Sequence, residues 1–221
     1  MSTPNKLKTP PKTSVRFDIT LSEEQKLSKE IILKKPFNFI LGKAGSGKTL
    51  LACQIALDML FKRQVEQIVI TRPTVSTEDN GFVPGDIKEK MDDWLVPIYS
   101  NFLKVYGHKD KLEKLEADGK ILLVSLAHFR GRTFDDAICI VDEFQNLTKH
   151  QLPMVLSRLG KESSMILCGD EQQIDLKHNS ESAVHECHKL QNSDYVSKII
   201  LKDNHRHPAL DEILRLLNQS Y

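Results

Sequence analysis

The sequence predicts an α/β protein: a mainly parallel sheet with helices on both faces. Three observations predict it. Short apolar or β-branched runs recur at residues 37–41, 67–71, 120–125, 137–141, 165–168 and 196–201. Segments of helical spacing fall between most of them, at 49–61 and around 86–106, 148–159, 181–191 and 208–219. Several of the short runs are continuously apolar instead of alternating, as strands covered on both faces require.

Taken in order, residues 1–16 hold Pro4, Pro10 and Pro11, four basic residues (Lys6, Lys8, Lys12, Arg16) and no acid. Such a stretch lacks the apolar residues to order itself and is expected to be a flexible basic tail, leaving 17–221 as a single domain. Over the 221 residues, 31 Lys+Arg face 30 Asp+Glu, for a formal net charge of +1. No global field therefore points to nucleic acid or membrane. A hydrophobic share of 40% and a charged share of 28% exclude overall disorder, collagen and a disulfide scaffold. The longest apolar runs fall far below the ~18 residues of a membrane-spanning helix. Cys53, Cys139, Cys168 and Cys187 are scattered without a CxxC pair. They read as buried, reduced thiols of a cytoplasmic protein. His178, His185, Cys187 and His188 lack the spacing of a zinc site and read as surface or packing residues.

The first run ends in Gly42-Lys43-Ala44-Gly45-Ser46-Gly47-Lys48-Thr49, which fits GxxxxGK[ST]. A strand delivers this loop and a helix opens at its end, so backbone N–H groups and the helix N-terminus are placed to hold phosphates. The nucleotide-binding set runs from Gly42 to Leu50, with Lys48 reaching the β/γ-phosphates and the Thr49 hydroxyl on Mg²⁺. The run 137–141 ends in Asp142-Glu143. There Asp142 is expected to hold the metal through water and Glu143 to be the general base. The run 165–168 leads into Gly169-Asp170-Glu171-Gln172-Gln173, where Gln173 is placed to sense the γ-phosphate. Arg206, just after the last run, is a candidate arginine finger.

This motif set resembles superfamily 1 helicases and, more closely, the PhoH family of P-loop ATPases. The resemblance runs from about Ile19 to Tyr221. It is carried by Thr71-Arg72-Pro73, Gly81-Phe82-Val83-Pro84-Gly85-Asp86, Arg130-Gly131-Arg132-Thr133, Val141-Asp142-Glu143-Phe144-Gln145-Asn146 and Gly169-Asp170-Glu171-Gln172-Gln173-Ile174-Asp175-Leu176. It implies a RecA-like core, ATP hydrolysis with Mg²⁺, and a homo-oligomeric ring, a hexamer. By the same resemblance Gln25 pairs its amide with adenine, and Arg72 and the segment of residues 125–128, His128 included, fall where helicases grip a nucleic-acid backbone. Arg130 and Arg132 join that grip or the nucleotide site at a subunit boundary.

The expected function is thus an ATPase coupled to RNA or single-stranded nucleic acid. The alternative is an ATP-switched assembly module, and a small-molecule kinase fits least. Some relatives carry an N-terminal nuclease domain; about twenty residues precede the core here, and no ribonuclease activity is expected. Trp94 is expected to anchor packing or a subunit contact.

Overall fold

The computed structural model describes residues 17–73, 87–190 and 192–205, together with Ala209, Glu212, Ile213 and Leu216; over 87–95 it describes the backbone. The expected tail at 1–16, and most of the helix expected at 208–219, lie outside the described residues, as does the Trp94 side chain.

Among the described residues six strands form one sheet: β1 (Phe37–Gly42), β2 (Gln67–Thr71), β3 (Ile121–Leu123), β4 (Ala137–Val141), β5 (Ser164–Gly169) and β6 (Val196–Leu201). Their spatial order is β3-β2-β4-β5-β1-β6 and every pairing is parallel. The α/β class predicted from the runs is the observed one. Every residue of the central β4 is buried, as its unbroken apolar run demands.

Helices cover both faces. On one lie α1 (Glu23–Ile32), α2 (Lys48–Phe61), α3 (Ile87–Tyr106) and α4 (Lys109–Ala117), over Ile40, Leu51, Ile55, Ile68, Ile140 and Ile166. On the other lie α5 (Leu126–Arg130), α6 (Gln151–Leu156) and a 3₁₀ segment (Ala183–Leu190), over Phe39, Val69, Phe129, Phe144, Val155 and Leu167. The period-two geometry of a strand sends Phe39 to one core and Ile40 to the other. Burial of both cores is the main source of stability.

Three elements differ from expectation, each for a local reason. The third strand stops at Leu123 because Ser125 turns the chain, its hydroxyl accepting the His128 N–H to start α5. The helix expected at 148–159 is the shorter α6, preceded by a reciprocal pair in which Thr148 N–H reaches Gln151 Oε1 and Gln151 N–H reaches Thr148 Oγ1. The segment expected as a helix at 181–191 is wound as 3₁₀ over Ala183–Leu190. Helices α1 and α4 were not anticipated; both are mostly polar, and α4 buries a single residue, Leu112.

Candidate functional site

The carboxyl ends of β1, β2, β4 and β5 converge, the position at which open α/β sheets hold ligands. β1 ends at Gly42 and α2 begins at Lys48, so the glycine-rich loop bridges strand and helix. Gly47 sits at φ +80°, and a Cβ there would lie 2.6 Å from Gln25 Nε2. The left-handed backbone favours glycine at this position, and any side chain there would also have to displace the Gln25 amide. The Lys48 ammonium lies back across the loop, donating to the carbonyls of Gly42 at 2.7 Å and Lys43 at 3.0 Å. Ser46 is buried and its Oγ has no hydrogen-bond partner among the described residues. Lys43 is exposed, Ala44 and Gly45 are half-buried, and Leu50 packs against the α2-side core.

Thr49 Oγ1 donates to Asp142 Oδ1 at 2.8 Å, joining the first turn of α2 to the end of β4. Asp142 is buried, and its carboxyl is pushed up to about 6. Burial is the largest cause and the neighbouring Glu143 charge the next, opposed by the Thr49 hydrogen bond, Arg72 and Lys48. Beneath this pair, Cys53 and Cys168 are fully buried free thiols pushed well up, chiefly by burial and then by the Asp142 charge. They are poor nucleophiles.

Glu143 takes a left-handed conformation, φ +53° and ψ +41°, uncommon for a residue with a side chain. Gln145, itself buried, helps hold it there. Gln145 Nε2 donates to Glu143 Oε2 at 2.7 Å and to the Gln173 carbonyl at 2.9 Å, while Gln145 Oε1 accepts the Asp170 N–H at 3.1 Å. Asn146 repeats the pattern one residue on: Asn146 Nδ2 donates to Asp175 Oδ2 at 2.8 Å and Asn146 Oδ1 accepts the Asp175 N–H at 2.8 Å. The loops after β4 and β5 are thereby fastened into one unit. Arg72 Nη2 stands 3.8 Å from Glu143 Oε1.

The structure therefore brings together the loop 42–49, Asp142, Glu143, Arg72 and the backbone of Gln173. The Gln173 side chain is exposed, and its carbonyl is the group engaged. Gln25 is buried against Gly47, and its Oε1 accepts the Ser22 N–H at 3.1 Å in a capping box that opens α1. His128 is exposed and its Nδ1 lies 2.7 Å from Ser125 Oγ. Arg130 is half-buried with an unpartnered Nε among the described residues, and Arg132 is exposed. Arg206 and the block at 81–86 lie outside the described residues; the neighbouring His205 N–H donates to the Gly45 carbonyl at 3.1 Å.

Sequence reasoning missed the roles of Gln145 and Asn146. Both stand in the segment that follows β4, and two amides there, just after a buried strand and an acid pair, were the available signal.

The family model for PhoH-like proteins matches residues 19–218. A PhoH-like protein of Bacillus subtilis (strain 168) is 43% identical over 180 residues, covering 80% of this chain and 56% of the relative. A PhoH-like protein of Synechocystis sp. is 40% identical over 173 residues, covering 78% and 49%. The chain spans about half the length of these relatives. Among solved structures, the Sulfolobus solfataricus SWI2/SNF2 ATPase core in complex with dsDNA superposes with TM-score 0.52 at 14% identity, covering 89% of this chain and 47% of that one. That likeness is one of fold, the RecA-like α/β P-loop architecture. Motif, topology and sequence identity agree, and this chain belongs to the PhoH family.

Proposed function

We propose that residues 17–221 form a single ATPase domain that binds and hydrolyses ATP with Mg²⁺. One observation carries the reading: Thr49 Oγ1 and Asp142 Oδ1 meet at 2.8 Å beside Glu143, at the mouth of the glycine-rich loop. The donor set fits Mg²⁺, since both groups are oxygen ligands and Asp142 is a buried carboxylate without a full compensating charge. Thr49 would hold the ion directly and Asp142 through water. When bound, it neutralises charge on the β- and γ-phosphates.

The remaining steps belong to this chain's own groups. The amides from Gly42 to Leu50 hold the phosphates, and Lys48 exchanges its two loop carbonyls for phosphate oxygens. Glu143 takes a proton from the attacking water. Arg72, 3.8 Å away, orients that carboxylate. Gln173 reports the γ-phosphate, and the loop tie through Gln145 carries that report to Glu143. Arg206, next to His205, meets the developing charge on the phosphoryl group. The Gln25 amide faces the base.

Hydrolysis is coupled to RNA or single-stranded nucleic acid through Arg72, His128, Arg130 and Arg132, in a homo-oligomeric hexameric ring. The arginines at α5 support this part of the reading, since guanidinium groups match phosphate oxygens. The test is ATP turnover by the full chain with and without Mg²⁺, repeated with single-stranded RNA at low salt. Mg²⁺-dependent turnover that RNA raises several-fold is expected. No turnover overturns the ATPase reading, and turnover indifferent to single-stranded RNA, and to single-stranded DNA in a parallel assay, overturns the coupling.

A further inference from the structure

β6 lies at the edge of the sheet, and its last pair with β1 is Gly42↔Leu201. The N–H groups of Lys202 and Asp203 fall beyond that pair, and one side chain takes both. Glu24 accepts the Lys202 N–H at 2.9 Å through Oε1 and 3.1 Å through Oε2, and the Asp203 N–H at 3.1 Å through Oε2. Ser22 Oγ adds a bond to Asp203 Oδ2 at 3.0 Å. Two residues further on, the His205 N–H reaches the Gly45 carbonyl inside the phosphate loop. From the same turn of α1, the Gln25 amide fills the space that a Cβ on Gly47 would need.

We propose that Glu24 is a positioning residue for the phosphate loop. It acts through residues 202–205: its carboxylate sets the height of that segment, and the segment's last N–H holds Gly45 in place. The loop is thus braced at two points from one helical turn, by Gln25 at Gly47 and by Glu24 through His205 at Gly45. An acid in the first turn of a helix is favoured by the helix dipole alone, and Glu23 supplies the comparison. It shares the turn but pairs on the surface with Lys26 at 2.5 Å. The dipole accounts for both acids, whereas only Glu24 is aimed at the end of β6.

This inference rests on the loop being the nucleotide site, so its test has one arm that needs no nucleotide. In the nucleotide-free protein, amide hydrogen exchange at 202–205 is followed for wild type, Glu24→Ala, Glu24→Gln and Glu23→Ala. Glu24→Ala should speed exchange at His205 on the order of tenfold, the scale of a lost charge-assisted hydrogen bond. Glu24→Gln keeps an acceptor oxygen and should restore most of the protection. Glu23→Ala should change nothing there, and exchange in β4 should stay at the wild-type rate in every variant that folds. In the second arm, Glu24→Ala should weaken ATP binding on the order of tenfold, with kcat changed far less than KM.

Wild-type exchange at His205 in Glu24→Ala overturns the proposal. So does faster exchange with wild-type ATP affinity, because Glu24 would then be a clip with no hold on the loop. If wild type itself binds no ATP while the exchange pattern holds, the nucleotide reading fails and the brace between Glu24 and the loop stands.

Discussion

The phosphate loop with its neighbours and the rim beside α5 differ in how far their charged side chains are tied down. At the loop, Lys48 is held by two carbonyls, Thr49 by Asp142, and Glu143 by Gln145, all within the chain. At the rim, Arg132 is exposed and the Arg130 Nε has no partner among the described residues, although the Arg130 carbonyl accepts from Arg158 Nη1 at 2.8 Å. The first region is preorganised by its own atoms, which is how fixed dipoles are made effective in catalysis. In the second the Arg130 Nε is buried, and Arg132 is the arginine that a second molecule can reach. In the proposed reading that molecule is a nucleic acid or a neighbouring subunit.

The sharpest way to break this contrast is at its preorganised end. Glu143→Gln should lower ATP turnover on the order of 10³-fold while leaving nucleotide binding intact, measured by phosphate release and by equilibrium binding. Loss of binding instead would mean that Glu143 holds the site together and does not act on water.

Asp142 sharpens the comparison through stability. Its carboxyl titrates near 6 when folded and near 3.8 otherwise. The folded state therefore binds more protons between those values, and this residue's contribution to stability is lost as pH rises from about 4 through about 6. At neutral pH the buried charge costs on the order of 3 kcal/mol. Asp142→Asn keeps an acceptor for Thr49, and should raise the metal-free unfolding free energy by ~1–3 kcal/mol at pH 7, with the gain vanishing near pH 4. It should also abolish Mg²⁺-dependent turnover. Denaturant melts at both pH values decide the first point.

Gln145→Ala leaves the buried Asp170 N–H without its acceptor and releases Glu143. A loss of about 2 kcal/mol in denaturant melts is expected, together with turnover lowered on the order of tenfold, as the base drifts from its position. Equal turnover would separate the loop tie from catalysis. The smallest effect belongs to the rim. Arg132→Ala should change stability by less than about 0.5 kcal/mol. It should reduce the salt slope of single-stranded RNA binding by about one.

Much of this was legible in the sequence wherever the residues that act together are also neighbours in the chain. The loop 42–49 is a continuous motif, and Asp142-Glu143 announces itself by ending an apolar run. The six strands were legible for the same reason, since each run carries its own burial pattern. What joins these pieces was not legible. Gln145 meets Gln173 and Glu24 meets Lys202 only after the sheet has formed, and neither pair has a spacing that a local reading could detect. Polar α1 and α4 hide for a related reason: both are rich in charged residues, and too few apolar ones mark them out from surface loops.

The parallel register has a consequence for the order in which this protein comes into being. Asn38, at the start of the strand that delivers the phosphate loop, bonds to Met165 127 residues later and to Ser197 159 residues later. Both flanking strands of β1 are therefore made long after it, and such distant pairings are slow to close. During synthesis the complete glycine-rich motif leaves the ribosome before either flanking strand exists, and stays without the His205 contact until β6 has been made. Chains halted before residue 196 would carry every letter of the phosphate motif and still lack β6 and the Gly45 contact of His205.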